Sequence, residues 1–234
     1  MYNYATGQPI QMPELSPLTY GHTDARLILR VGGSMGDVYG QRLLKRDLNG
    51  YILNEEGVGL AMENKETYLG SILPKMNMGW SLGFGYKGVN LGMTFTGRFG
   101  GIVISETQSV LDAAGVSKVS ADVRDAGGVQ INQSKVSAQT YYQTIQGTAA
   151  YYTYSATNVR LGELSLSYTL PKKWFDNKVG MTVGLVGKNL WMIYCKAPFD
   201  PELTTSAASN FYQGFDAYML PSTRNFGFNV KFQF

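Results

Sequence analysis

The sequence predicts an all-β protein, an antiparallel segment of a transmembrane β-barrel carrying long extracellular loops. Three observations carry that reading. The last stretch, Thr223 to Phe234, alternates strictly: Phe226, Phe228, Val230, Phe232 and Phe234 are apolar, and Asn225, Gly227, Asn229, Lys231 and Gln233 lie between them. Period two makes one face greasy and the other wet. Twelve such residues at ~3.3 Å each, tilted by about 45°, rise roughly 28 Å, the thickness of a bilayer's hydrocarbon. The second observation is that residues 76–86 and 89–99 repeat the alternation. The third is that short and long connections alternate along the chain, as they do in such barrels.

Composition agrees with this class and excludes others. Charged residues are 16% of the 234 and aromatics 13%, with 28 glycines and 16 tyrosines. A wall that is apolar outside and polar inside averages to such values. The net charge of +3 is too small, and the basic residues too scattered, for a nucleic-acid partner. Cys195 is the single cysteine, which rules out an internal disulfide. No run approaches the length of a membrane-crossing helix. Residues 1–25 show neither the basic start nor the apolar run of an export signal. The expectation is therefore that the chain is the end portion of something longer.

Residues 1–24 read as a connection and residues 25–234 as the barrel portion. From Ala25 the positions Leu27, Leu29 and Val31 begin a strand, Gly32 to Asp37 interrupt it, and Val38 to Leu44 resume it. Asp47-Leu48-Asn49-Gly50 turns the chain. Met76, Met78, Trp80, Leu82, Phe84 and Tyr86 form one face of the next strand, opposite Asn77, Gly79, Ser81, Gly83 and Gly85. Lys87-Gly88 is a two-residue hairpin turn, after which Val89, Leu91, Met93, Phe95 and Phe99 alternate with Asn90, Gly92, Thr94, Thr96 and Arg98. Residues 100–157 form a long insertion. In it Ser105 caps a short helix through Ala114 and Ser137 another through Gln146, with Gly115 and Gly147 as stops.

Leu164, Leu166, Tyr168 and Leu170 then alternate with Glu163, Ser165, Ser167 and Thr169, ending at Pro171. The short connection to Lys178 carries Trp174 and Phe175, side chains suited to a membrane interface. Met181, Val183 and Leu185 start the next strand, whose alternation blurs at Gly187-Lys188-Asn189 before Leu190 and Trp191. Residues 193–222 make the second long loop. The count is about six strands, fewer than the roughly eight of the smallest single-chain barrels. Six strands do not close alone, and open edges in lipid leave backbone groups unsatisfied.

Several of these stretches resemble the carboxy-terminal part of SusC/RagA-type TonB-dependent outer-membrane transporters of the Bacteroidetes. They are Val31 to Gly40, Gly97 to Gly101, Ala126 to Gly128, Tyr141 to Ile145, Ala156 to Pro171, Gly187 to Trp191, Ala197 to Glu202 and Leu220 to Arg224. Within Ala156 to Pro171 the family more often has Arg where this chain has Gly162. The resemblance implies a plugged barrel importing glycans or peptides, powered through the TonB complex and capped by a SusD-like lipoprotein. It implies residence in the cell outer membrane, contact with outer-membrane lipid, and recognition of the terminal aromatic strand, at Phe232 and Phe234, by the barrel-assembly machinery. The plug, the TonB-binding segment and most of the barrel have no counterpart here.

Nothing in the residues reads as an active site or a cofactor site. His22 stands alone, and there is no nucleophile elbow. Arg160 and Glu163, three apart on one strand, are expected on opposite faces. The residues that invite a binding role are loop aromatics: Tyr141, Tyr142, Phe211, Tyr212 and Tyr218. Such side chains stack on sugars or peptide side chains while tolerating water, and loops on a rigid barrel are where binding resides. The competing expectation is that each packs a loop against its neighbours or against the lipoprotein. The alternative to a transporter is a structural outer-membrane β-protein completed by oligomerisation.

Overall fold

The computed structural model describes residues 23–28, 30, 32–55, 59–132, 134–175, 179–203 and 214–233. In chain order the first strands are β1 (Arg26–Leu27), β2 (Asp37–Leu44), β3 (Asn54–Glu55), β4 (Gly59–Leu60), β5 (Met62–Ser71), β6 (Met76–Tyr86) and β7 (Val89–Phe99). The insertion contributes β8 (Ile102–Ser105), α1 (Glu106–Ala113), α2 (Lys118–Asp125), β9 (Val129–Ile131), β10 (Ser134–Val136), α3 (Ala138–Ile145) and β11 (Thr153–Ser155). The strands β12 (Asn158–Thr169), β13 (Gly180–Cys195), β14 (Phe215–Asp216) and β15 (Asn225–Gln233) complete the set. These elements fall into two compact units, one drawn from 1–73, 101–155 and 202–219, the other from 74–100, 156–201 and 220–234.

The second unit is a five-stranded antiparallel sheet in the order β15-β13-β12-β7-β6. Its register shows why the alternation matters. Leu82 pairs with Met93 and Met93 with Leu164, and Phe84 lies in one row with Leu91, Leu166, Leu185 and Phe228. Along these rows apolar positions meet apolar positions or glycine, with Gly97 opposite Met78 and Gly187 opposite Leu164 and Phe226, so a single greasy face runs across all five. The opposite face carries Asn77, Ser81, Asn90, Thr94, Ser165, Ser167, Asn229 and Lys231. Eleven residues of β6, tilted about 40°, rise roughly 26 Å, matching the apolar band of such barrels. That face is bare: Trp80, Phe84, Leu185, Trp191, Phe226 and Phe228 are each more than half exposed.

The Lys87-Gly88 turn forms as predicted. Both residues have positive φ, 45° and 86°, the left-handed pair that a two-residue hairpin needs to match strand twist. A side chain at Gly88 would bring its Cβ within 2.8 Å of the Thr169 carbonyl oxygen, so this glycine is required twice over. At the same end of the sheet, Gly180 pairs with Gln233 and a 3-10 turn over Lys172–Phe175 leads from β12 to β13. The short connections and the end of β15 thus share one edge. Trp174 there is exposed, which suits the interfacial role expected of it.

Two irregularities correct the strand-by-strand reading. Asn189 and Leu190 of β13 face the single Gly162 of β12, because Glu163 pairs with Lys188 and Leu161 with Trp191. This is a β-bulge, with Asn189 at φ 53° and its amide donating to the Thr223 carbonyl at 3.2 Å. It explains the blurred alternation at 187–189. Gly162 is also the extra residue against β7, where Leu161 meets Phe95 and Glu163 meets Thr94. The bulge resets the parity, so Arg160, paired with Thr96, lies on the same polar face as Glu163. The expectation of opposite faces fails for that reason. The two still do not pair: Glu163 faces Lys188 at 3.8 Å and Arg160 has another partner.

The first unit holds the remaining described strands and the helices α1, α2 and α3. Gly32 to Asp37 reverse the chain instead of interrupting one strand: Arg26 pairs with Tyr39 and Leu27 with Val38. The resulting β1-β2-β5 sheet is separate from the five-stranded one, which accounts for the strand count falling from about six to five. Asp47 caps its own turn by accepting the amides of Asn49 and Tyr51 at 2.9 and 2.8 Å. Ser105 and Ser137 cap α1 and α3 through Gln108 N and Thr140 N at 3.0 and 3.1 Å, and Gly115 and Gly147 follow with φ of 73° and 71°. The insertion also contains α2, capped by Ser117, which the sequence reading passed over. Two apolar clusters hold the unit, one around Val38, Ile104 and Phe215, the other around Leu44, Ile131, Tyr142, Ile145 and Tyr152.

Candidate functional site

The polar face of the five-stranded sheet carries one built cluster. Arg160, on β12, donates from Nη1 and Nη2 to the two oxygens of Asp200 at 3.0 and 2.7 Å. Its Nε and Nη2 also donate to Asn158 Oδ1, each at 3.2 Å. The ion-paired side chains are only 10% and 8% exposed, and Asn158 is wholly buried. Forked geometry of this kind is the strong form of a charged hydrogen bond. It ties the Ala197 to Glu202 segment to β12, so two of the stretches singled out in the sequence are one structural device. Neither spacing nor period announces that partnership, since forty residues separate the groups.

The aromatic candidates scatter. Tyr142 is buried at 7% and Tyr141 packs edge-on against it, ring centroids 5.3 Å apart. Ala138, Tyr141, Tyr142 and Ile145 fall at helical spacing, which makes them the apolar stripe of α3; all four belong to the cluster around Leu44 and Tyr152. Of the two expectations for these tyrosines, packing within the loop is the contact seen: Tyr142 is buried and Tyr141 packs partly buried against the same cluster. Tyr218 is different. It is 59% exposed, sits at φ 54°, donates its backbone N–H to Thr107 Oγ1 at 2.7 Å and sets its hydroxyl 3.5 Å from Glu106. Phe232 is exposed on the greasy face of β15. Phe211, Tyr212 and Phe234 lie outside the described residues, as does His22.

Burial leaves an electrostatic mark on the tyrosine cluster. Desolvation, reinforced by the charge of Asp112, pushes the Tyr142 and Tyr152 phenols up, and the same two causes push Tyr154 up to about 12. A raised folded value means that the neutral phenol is what the folded state favours. The stability it contributes is complete below the ordinary value of 10.0 and is lost as pH climbs through about 12. Alkaline titration followed by tyrosinate absorbance is expected to show a late, cooperative step coinciding with loss of the helical circular dichroism signal. Early, non-cooperative titration of every phenol would contradict the packing described.

No protein-family model matches the chain, and no curated protein is similar to it. Among solved structures, the RagAB peptide importer in its closed-closed state superposes with a TM-score of 0.53 at 16% identity, over 91% of this chain and 25% of that one. The RagAB peptide transporter is also similar, with a TM-score of 0.47 and 20% identity over 73% of this chain and 21% of that one. The chain has the fold of part of a SusC/RagA-type transporter barrel. It spans about a quarter of the length of the RagAB chain it superposes on. Within that fold, the sheet of β6, β7, β12, β13 and β15 is apolar and bare on one face and carries the Arg160–Asp200 clamp on the other.

Proposed function

We propose that this chain forms part of an outer-membrane, TonB-dependent nutrient transporter that imports glycans or peptides with a SusD-like lipoprotein partner. The observation that carries the reading is the five-stranded sheet, whose one face is an uncovered apolar surface running across all five strands and whose other face is mostly polar. A water-soluble protein covers such a face; a bilayer is the solvent that suits it. The two outer strands of the sheet, β6 and β15, have one neighbour each among the described residues. Lipid does not tolerate an unpaired strand edge, so the reading requires further strands from the remainder of a transporter. The TonB complex supplies energy through that remainder, and the assembly machinery recognises the strand that ends in Phe232 and Phe234. The chain performs no catalysis of its own in this scheme.

The test is genetic and biochemical together. Protein recovered with detergent-extracted outer membranes, and uptake of labelled oligopeptides or oligosaccharides that falls when either this gene or TonB is deleted, is the expected result. Unchanged uptake of both classes, with copies of this chain cross-linking to one another, would favour the structural, oligomer-completed alternative instead.

A further inference from the structure

The edge of the five-stranded sheet that carries the short connections gathers two lysine–aromatic pairs. Lys87, in the hairpin between β6 and β7, sets its Nζ 5.2 Å from the centroid of the Tyr86 ring. Its backbone is left-handed, with φ 45°, so a fixed turn carries the ammonium. That turn is tied to the end of β12, where the Thr169 amide donates to the Gly88 carbonyl at 2.8 Å. Just beyond Thr169, Lys173 and Trp174 sit side by side in the 3-10 turn. The Trp174 amide closes it by donating to the Pro171 carbonyl at 3.1 Å. All four side chains are exposed, Tyr86 at 72% and Trp174 at 68%. Neither lysine forms an ion pair among the described residues.

The apolar face begins directly inside that edge. Tyr86, Val89, Tyr168, Val183 and Val230 form one row across all five strands, and Tyr86, Val89, Tyr168 and Val230 are exposed. Aromatic side chains at the rim of an apolar wall stand at the depth of lipid headgroups. A lysine there lays its stem on apolar surface and lifts its ammonium into the polar layer. The ring face occupies one side of the Lys87 ammonium and leaves donors for phosphate oxygens. A zwitterionic headgroup brings its own ammonium to compete for that phosphate, and a headgroup of net negative charge does not. Lys231 supplies the contrast. It pairs with Thr182 near the same edge but stands on the polar face, away from the apolar row.

We propose that this edge binds an anionic phospholipid of the phosphatidylglycerol type, its phosphate held by Lys87 and Lys173 and its acyl chains along Tyr86, Tyr168 and Val183. The proposal rests on the membrane reading and adds to it which lipid is held and by which residues. Charge complementarity selects the occupant: two cations without carboxylate partners, above an uncovered apolar row, fit an amphiphile with a phosphate head.

The probes are phosphatidylglycerol and phosphatidylethanolamine with identical acyl chains, added to the full chain in mild detergent and followed by native mass spectrometry. Detergent presents both lipids whatever cell fraction the protein enters, so failure here leaves the partitioning and uptake results standing, and the reverse holds too. Phosphatidylglycerol is expected to bind more than tenfold more tightly. Lys87→Gln and Lys173→Gln are each expected to weaken it about fivefold, the worth of one basic residue at an anionic surface, and together to abolish the preference. Lys87→Arg keeps the charge and is expected to keep the affinity. Lys231→Gln removes the same charge from the other face and is expected to change nothing. Inorganic phosphate is expected not to displace the lipid. Equal affinity for the two lipids, or loss of affinity in Lys87→Arg, would overturn the proposal. So would an equal loss in Lys231→Gln, which would reduce it to bulk charge, or displacement by inorganic phosphate, which would make it a site for the free anion.

Discussion

Asp200→Asn is expected to destabilise the sheet unit by about 3–5 kcal/mol, the range measured when one member of a buried ion pair is removed. The argument rests on what is left behind. Arg160 is nearly enclosed, and its guanidinium is positioned by two bonds to Asp200 and two to Asn158. An amide in place of the carboxylate keeps the shape and withdraws the charge that both forks of the Arg160 guanidinium are bonded to. The double variant Arg160→Leu with Asp200→Leu removes both charges and is expected to be markedly less damaging than Asp200→Asn, because hydrophobic replacement of a buried pair often comes close to neutral. Urea unfolding of the protein in lipid vesicles, followed by tryptophan fluorescence, measures both. A loss below about 1 kcal/mol for Asp200→Asn would place the clamp among surface ion pairs and would contradict its burial.

That clamp also marks the boundary of what the sequence discloses. Local chemistry was readable: the Lys87-Gly88 turn, the caps at Ser105 and Ser137 and the stops at Gly115 and Gly147 depend on a residue and its immediate neighbours. Alternation was readable too, because one buried or lipid face imposes period two on a whole strand. Three things were beyond that logic. An inserted residue at Gly162 and the left-handed Asn189 shift parity without any compositional sign, so Arg160 and Glu163 were assigned to opposite faces. The reversal at Gly32 to Asp37 could be told from an interruption only by knowing that Val38 pairs with Leu27. The partnership of Asp200 with Arg160 depends on a contact made by tertiary folding. The packing of Tyr141 and Tyr142 was within reach, since Ala138, Tyr141, Tyr142 and Ile145 trace a helical stripe, and it is one of the two expectations the loop aromatics carried.

Adjacent substitutions on β7 give the sharpest test of the membrane assignment. Met93 lies between Leu82 and Leu164 on the apolar face, and Thr94 lies between Ser81 and Glu163 on the polar one. Both are near the middle of strands long enough to cross the hydrocarbon. Met93→Arg is expected to cost about 2–4 kcal/mol of stability in a bilayer, the penalty for a cationic side chain near the midplane of a barrel wall. Thr94→Arg places the same group one residue away, in water and beside the Glu163 carboxylate, and is expected to change stability by less than about 1 kcal/mol. It forfeits the Ser81–Thr94 hydroxyl contact of 3.0 Å, a small and exposed interaction. Unfolding both variants in the same vesicles holds lipid, strand and substituent constant and leaves only the face different. Equal penalties would mean that the two faces share one environment, which a sheet standing in a bilayer does not allow; a penalty at Thr94 alone would invert the wall and make the polar face the packed one.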